Sequence, residues 1–367
     1  MRNVILFFGS FDPLHLGHVS MMENAIKKVK GDIVYLGLNK TSKKGKLTPF
    51  SIRKTMLTKF CKDKDNIKLL DFYFNYSDME TTYNNIFSLL NEDDNTYILL
   101  GADQLCHIKE WYKFDMLYSR FKFIVARREG VVCHKEDLVN PNYIFINHAY
   151  KDISSSLIKR GEYEYTDKTI KEYILATNLY LKEQVSMYLS GPRFHHVVAV
   201  SDTALLINKE AKLGIKKNKI EKAALLHDIA KHLDEDTKNE IMNNYYVKYL
   251  DVDEKIVHQY TGEYIANNHF HINDKDILNS IKHHTTGRAN MSTLEKLIYV
   301  ADKIEPNRNF DTTHLIELCC KDFEKGFIEV LKTNKEYLES KEVIKDKDTI
   351  ECFEYYLANK QLIYNKI

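Results

Sequence analysis

The run VILFFGSFDPLHLGH, residues 4–18, passes from an apolar strand through a turn into the start of a helix. Val4–Phe8 is continuously apolar, as in a strand covered on both faces of a sheet. Gly9 and Ser10 permit a tight turn, Phe11 and Asp12 continue it, and Pro13 sets the approach to the next helix. His15 and His18, three apart around Gly17, are expected on one face of that helix's first turn. Backbone N–H groups at a helix start lack partners and attract anions. Two imidazoles beside those amides read as a socket for a polyphosphate.

The same alternation continues outward. Ile33–Leu38, Ile67–Phe72, Tyr97–Leu100, Phe121–Ala126 and Tyr143–Ile146 read as further strands. Leu16–Val29, Ile52–Cys61, Tyr83–Leu90 and Ser154–Arg160 read as the helices between them. That pattern predicts an α/β, Rossmann-like parallel sheet with ligand chemistry at the carboxyl ends of its strands. From about Leu181 the strand signal stops. Val197–Leu213, Lys219–His232, Glu254–Asn267, Ile277–His284, Thr293–Ile304 and Ile350–Ile363 carry apolar residues at helical spacing, so the second half is expected to be all-α. The expected domains are 1–181 and 182–367, joined through one helix or a tight turn near Leu181–Ser190, because no Gly/Ser/Pro linker intervenes.

Composition narrows the class. The 367 residues, at roughly 150 per domain, suggest about two domains. Lys and Arg number 53 against 52 Asp and Glu, a net charge of +1, which argues against a protein that coats nucleic acid by bulk charge. The six cysteines form no CxxC pair, as expected of reduced thiols in a cytoplasmic protein. No window reaches the roughly 18 apolar residues of a membrane span, and the first residues are too briefly apolar for a signal peptide. Oligomeric state is not legible.

The second half holds a different constellation. His196, the doublet His227-Asp228, His258, His283-His284 and Asp302 each fall in an expected helix or at its end. A His-Asp pair directly after Ala223-Ala224-Leu225-Leu226 would be costly to bury without partners. Imidazole and carboxylate together, with no thiolate, suit Zn, Fe or Mn. Lys231, Arg288 and Arg308 accompany this string, Lys231 one turn after His227 and readable as a solvent-facing residue.

These motifs carry two resemblances. GSFDPLHLGH (9–18) resembles the (T/H)xGH signature of the nucleotidyltransferase superfamily, and its continuation resembles the bacterial nicotinate-nucleotide adenylyltransferases. GADQL (101–105) with WYKF (111–114), and ISSSLIK (153–159), carry that likeness. It implies transfer of AMP from Mg²⁺·ATP to nicotinate mononucleotide, with pyrophosphate leaving. The attacking phosphate is already an anion, so alignment and charge neutralisation suffice. His15, His18 and Lys159 would supply these with the amides at Ser154, Ser155 and Ser156. Lys159 stands where Arg is common and lacks its bidentate fork. The resemblance assigns Gly101 and Asp103 to the nucleoside side and places Thr82, Tyr83, Asn84 and Trp111 near the pyridine ring. Trp111 is also readable as an ordinary cleft aromatic, and the four lysines of Asn39–Lys46 as a solvated loop or a cover over phosphate. Nicotinamide mononucleotide, phosphopantetheine or an alcohol phosphate remain alternative acceptors.

RFHHVVAVSDTA (193–204), ALLHDIAKH (224–232), HQYTGEYIA (258–266), HHTTGR (283–288) and EKLIYVADKIEPNR (295–308) resemble, in order, the HD-domain hydrolases that cut diadenosine tetraphosphate symmetrically into two ADP. By position, His196, His227, Asp228 and Asp302 become core metal ligands, and His258 and His284 complete a dinuclear site; iron is the metal implied. The same resemblance would have Lys231, Arg288 and Arg308 hold the leaving phosphates. His196 is preferred to His195 for its apolar spacing to Val200 and Ala204, and His284 to His283 because Thr-Thr-Gly follows it. A nucleotide-sensing module, or hydrolysis of other nucleotides, is the alternative for this half.

Overall fold

The computed structural model describes residues 1–40, 47–75, 77–128, 130–131, 135–150, 152–341 and 346–358. Most of the lysine-rich run Asn39–Lys46 therefore lies outside the described residues, as does the end of the helix expected over Ile350–Ile363. The chain forms two compact units, Met1–Leu175 and Ala176–Ile367. Among the described residues no helix is long and apolar enough to cross a membrane.

The first unit contains, in chain order, β1 (Asn3–Gly9), α1 (Leu16–Val29), β2 (Ile33–Asn39), α2 (Phe50–Cys61), β3 (Ile67–Phe74), α3 (Met79–Leu89) and β4 (Asn95–Gly101). There follow α4 (Ala102–Leu105), α5 (Phe114–Arg120), β5 (Lys122–Ala126), α6 (Lys135–Leu138), β6 (Tyr143–Ile146), α7 (Ser155–Lys159) and α8 (Lys168–Thr177). All six expected strands are present and pair in parallel, in the order β3-β2-β1-β4-β5-β6. Val4, Ile5 and Leu6 are fully buried because β1 lies mid-sheet with helices over both faces. Strand order reverses between β1 and β4, and such a reversal opens a crevice at the carboxyl ends of the two strands. Gly9 ends β1 and Gly101 ends β4, so the two motifs that follow them share this crevice.

Arg53 on α2 stiffens the crevice. It is 1% exposed and donates to the carbonyls of Ser10 (2.8 Å), Asn39 (2.9 Å), Thr48 (2.8 Å) and Lys40 (3.3 Å). One guanidinium thus fastens the loops after β1 and β2 to the start of α2.

The second unit is helical: α9 (Leu181–Tyr188), α10 (Gly191–Glu210), α11 (Lys217–Leu226), α12 (Glu235–Tyr245), α13 (Glu254–Asn268), α14 (Lys275–Lys282), α15 (Thr293–Ile304), α16 (Thr313–Lys321), α17 (Phe323–Ser340) and α18 (Lys347–Phe353). π-Helical backbone continues from α18 through Ala358. α15 lies at the centre, with Leu297, Ile298, Tyr299, Val300 and Ala301 all fully buried. It is started by Ser292 and Glu295, whose side chains cap each other's backbone N–H. Two expected helices end early. α11 stops at Leu226 and α14 at Lys282, so His227-Asp228 and His283-His284 lie in the turns beyond.

Removing the Arg53 donors leaves carbonyls in an apolar setting. Arg53→Met is expected to lower the stability of the first unit by about 3 kcal/mol, read from its denaturation midpoint.

Candidate functional site

In the first unit, His15 is not within the first turn of α1 but caps it, with extended backbone (φ −135°, ψ 170°). Its N–H donates to Nδ1 of His18 at 3.2 Å, and the two rings lie 3.7 Å apart, tilted by 33°. A Cβ on residue 17 would sit 2.9 Å from the His15 ring, so only glycine leaves room for this arrangement. His15 is buried, and its Nδ1 has no hydrogen-bond partner among the described residues. Burial, with the nearby Arg128 and His148, lowers its pKa to about 4. His18 is pushed well below its ordinary range by burial and by His15. Burial thus favours the neutral form of both rings, against the charged form that the sequence reading expects beside phosphate. They are polar groups awaiting a partner, and an anion is what would charge them.

Two segments close on this pair. Ser155 Oγ donates to the Pro13 carbonyl at 2.8 Å, so ISSSLIK and GSFDPLHLGH meet in space. Ser154 caps α7 and Ser156 lies in its first turn. Lys159 Nζ donates to Asp12 at 2.7 Å, and the Thr48 N–H donates to the same oxygen at 3.1 Å. Burial raises the Asp12 pKa, yet the bonds from Lys159 and Thr48 outweigh it and hold the carboxyl below its usual range. Lys159 thus faces a carboxylate here, where the sequence reading gave it phosphate alone. Beside these motifs a cavity of about 470 Å³ is lined by His148, Tyr150, Asp152, Ile153, Leu157, Glu162 and Tyr165.

Other expected contacts are placed differently. Phe11 is 2% exposed, with φ +41°, and its ring packs edge-on against Phe7 and His18. Its ring belongs to the core, and a Cβ at Gly9 would press against it at 3.0 Å. Thr82 is buried, donating to the Asp78 carbonyl and accepting from the Asn75 N–H. The Tyr83 hydroxyl donates to the Tyr112 carbonyl at 2.8 Å. The Thr82 hydroxyl thus ties the start of α3 to the loop before it, and the Tyr83 hydroxyl ties α3 to the segment around Tyr112. Trp111 packs, partly buried, on the cluster that includes Tyr83, Ile86 and Leu117. Asp103 stays accessible at the end of β4, 3.9 Å from Arg128, and a Cβ at Gly101 would strike it at 2.5 Å.

In the second unit the expected ligands converge. His196 comes from α10, His258 from α13 and Asp302 from α15, with His227, Asp228 and His284 on the turns after α11 and α14. All six are buried. The two oxygens of Asp228 face different histidines. Oδ1 lies 3.2 Å from Nε2 of His258 and 3.4 Å from Nε2 of His284, whereas Oδ2 lies 3.8 Å from Nε2 of both His196 and His227. Asp302 Oδ1 adds a further oxygen 3.1 Å from His196 and 3.6 Å from His227. Two candidate metal triads result, His196/His227/Asp228 and Asp228/His258/His284. His195, next to His196, is exposed.

The imidazoles are oriented from behind. His227 Nδ1 donates to the Ala224 carbonyl at 2.7 Å and His284 Nδ1 to the Ile281 carbonyl at 2.7 Å. His196 Nδ1 lies 3.1 Å from Oε1 of Glu305, a carboxylate only 2% exposed. Each bond places the proton on Nδ1 and leaves the Nε2 lone pair facing the site, the arrangement a metal-binding histidine requires. Burial lowers the pKa of His284 to about 4 despite its bond to Asp228, so it stays neutral. Burial alone would raise Asp228 and Asp302; the surrounding imidazoles, with Lys303 beside Asp302, hold both well below the carboxylate range. Buried nitrogen and oxygen donors without thiolate fit a divalent metal.

Four cations rim the cluster. Lys231 Nζ lies 3.2 Å from Nδ1 of His258 and is therefore directed inward. Arg308 contacts Asp302 at 2.6 Å and Lys303 the same carboxylate at 2.9 Å. Arg193 reaches Asp228 at 2.7 Å. Arg288, expected beside the phosphates, grips buried Glu295 through two bonds, 2.7 and 2.8 Å, and has no bond to the ligand cluster among the described residues. Arg193, Lys303 and Glu305 were passed over in the sequence although each stands inside a quoted motif. Lys303 stands directly beside Asp302, and Arg193 and Glu305 each lie three residues, about one helical turn, from a ligand.

The architecture defines two classes of domain, a nucleotidyltransferase-type α/β unit and a helical HD-type metal unit. Residues 6–161 match the cytidylyltransferase-like family and residues 193–307 the HD domain. A probable nicotinate-nucleotide adenylyltransferase/Ap4A hydrolase from Mycoplasma genitalium is 27% identical over 349 residues, covering 90% of this chain and 97% of the relative. A symmetrical bis(5'-nucleosyl)-tetraphosphatase from Bacillus subtilis is 33% identical over 160 residues, 43% of this chain and 85% of the relative. A crystal structure of a predicted HD superfamily hydrolase involved in NAD metabolism from Clostridium acetobutylicum aligns at 29% identity and TM-score 0.42, over 49% of this chain and 96% of that one. Through its second unit the chain belongs to the symmetrical bis(5'-nucleosyl)-tetraphosphatase family.

Two outcomes test these sites. By NMR, His15 of the ligand-free chain should titrate near pH 4 and move upward when ATP is added, since an adjacent anion favours the imidazolium. Glu305→Gln should weaken Mn²⁺ binding by about 10–100-fold, measured by calorimetric titration.

Proposed function

We propose that the chain is a two-headed nucleotide enzyme. The first unit transfers AMP from Mg²⁺·ATP to nicotinate mononucleotide, giving deamido-NAD and pyrophosphate. The second hydrolyses diadenosine tetraphosphate to two ADP. The observation that supports the second activity best is the sharing of Asp228 between two histidine sets.

In the first unit the acceptor phosphate attacks the α-phosphorus of ATP directly, so the pocket needs no general base. His15 and His18 donate hydrogen bonds to phosphate oxygens and gain charge as the anion arrives. Lys159 lies beside the same turn and stabilises the departing pyrophosphate as it exchanges Asp12 for phosphate. Ser154, Ser155 and Ser156 present the amides of α7 to the phosphates, and Asp103 holds the ribose of the nucleotide. The open cavity lined by His148, Tyr150, Ile153 and Leu157 accommodates the nucleoside beyond the phosphates.

In the second unit, His196, His227, Asp228 and Asp302 hold one divalent ion, and Asp228, His258 and His284 hold a second. Such ions supply Lewis acidity toward phosphate oxygens and acidify water. Iron, manganese and zinc all suit the donors, and iron is the metal proposed. Glu305 keeps the His196 proton on Nδ1. Lys231, Arg193 and Arg308, directed at the cluster from its partly exposed rim, hold the polyphosphate so that cleavage falls between its two central phosphates.

The two activities should separate by substitution. His18→Ala is expected to abolish pyrophosphate release from ATP and leave tetraphosphate hydrolysis intact, while Asp228→Ala does the reverse. Loss of both activities from one substitution in a folded chain would sink the two-site assignment.

A further inference from the structure

The loop that carries His284 also holds Thr286, Gly287 and Arg288, a motif that the metal chemistry leaves unexplained. Its conformation is set from the C-terminal end of the described chain. Gly287 adopts φ +67°, and a Cβ there would lie 2.5 Å from Sγ of Cys352. The Met291 N–H donates to Oη of Tyr356 at 2.6 Å. Oδ2 of Asp348 lies 3.6 Å from Nδ1 of His283. Asp348, Cys352 and Tyr356 recur every fourth residue and so line one face of α18 and its π-helical continuation.

That face is itself anchored. Cys352 and Phe353 are buried, and the Tyr356 ring stands edge-on to Phe327 of α17 at 4.9 Å. At its other end the loop is pinned by Arg288 on Glu295 and by the Ser292–Glu295 cap of α15. Inside this frame, His284 Nδ1 is bound by the Ile281 carbonyl and Nε2 is left 3.4 Å from Asp228.

We propose that the helix Lys347–Ala358 is a clamp that positions the His284 loop, and thereby sets the affinity of the second ion without touching it. Asp348, Cys352 and Tyr356 are its positioning residues, and Gly287 is the point where the clamp closes. This inference rests on the two-ion reading given above, because the Asp228/His258/His284 triad is what the clamp serves. Among the described residues, no hydrogen bond or ion pair joins this face to His196 or His227.

The test uses the full chain. Tyr356→Phe removes one hydroxyl and keeps the ring; Cys352→Ala opens space over Gly287 and keeps the helix. Hydrogen exchange on metal-free protein should show faster exchange of the Gly287–Met291 amides in both variants. Mn²⁺ titration followed by electron paramagnetic resonance should show the second ion bound about ten-fold more weakly, with the first unchanged. A merely structural role would weaken both ions together or neither. Wild-type exchange rates, or an unaltered second affinity, in both variants would overturn the clamp. If the wild-type chain takes up a single ion, indifferent to His284→Ala, the two-ion reading fails and the clamp's hold on a second ion falls with it, whatever the exchange rates; two ions in the wild type with both variants unaltered sink the clamp alone.

Discussion

A carboxylate removed from water is stable only when its charge is answered by nearby donors or ions. Asp228 meets that demand from several sides, with His258 and His284 on one oxygen, and Arg193, His196 and His227 on the other. Much of the second unit follows from it. α10, α13 and α15 must bring their polar residues to one point, and α11 and α14 must end early so that the turns beyond can supply the rest. The apolar layers of Leu297, Ile298 and Val300 then hold α15 against its neighbours, so that a polar cluster survives inside an apolar bundle.

The first unit handles phosphate differently. Among the described residues, its crevice holds amides, the Lys159–Asp12 and Arg128–Asp103 pairs, and two imidazoles whose neutral form burial favours. Such a pocket is nearly uncharged until an anion enters, which limits the penalty of desolvating it beforehand. The two units therefore represent opposite treatments of one chemical problem. One stores charge in advance as buried carboxylates; the other gains it together with its ligand.

Much of this was legible in the sequence, for physical reasons. Parallel strands are buried on both faces, so Val4–Phe8 and its counterparts appear as apolar runs, and all six strands were found with ends misplaced by a residue or two. The ligand string was legible because histidine and aspartate are conspicuous in apolar helices. Partner choice was not. Nothing local indicates that Arg288 turns to Glu295 rather than to solvent, or that Tyr83 spends its hydroxyl on a backbone carbonyl. α16 and α17 escaped as well: Thr313–Lys321 is short, Phe323–Ser340 carries many charges, and the two meet at a close crossing where a Cβ on Gly326 would strike Cys319. The two helix ends differ from the expected ones in different ways: His227 keeps helical backbone angles beyond Leu226, whereas His283 leaves them (φ −118°, ψ 15°) straight after Lys282.

Arg53 has a consequence for how the first pocket can adapt. Its guanidinium binds carbonyls from both neighbouring loops in surroundings that exclude water, so tilting either loop would break charge-assisted bonds with nothing to replace them. The floor beneath the phosphates is therefore stiff. The neighbouring cavity is lined instead by side chains that water reaches, Tyr150 half exposed and Asp152 open to solvent.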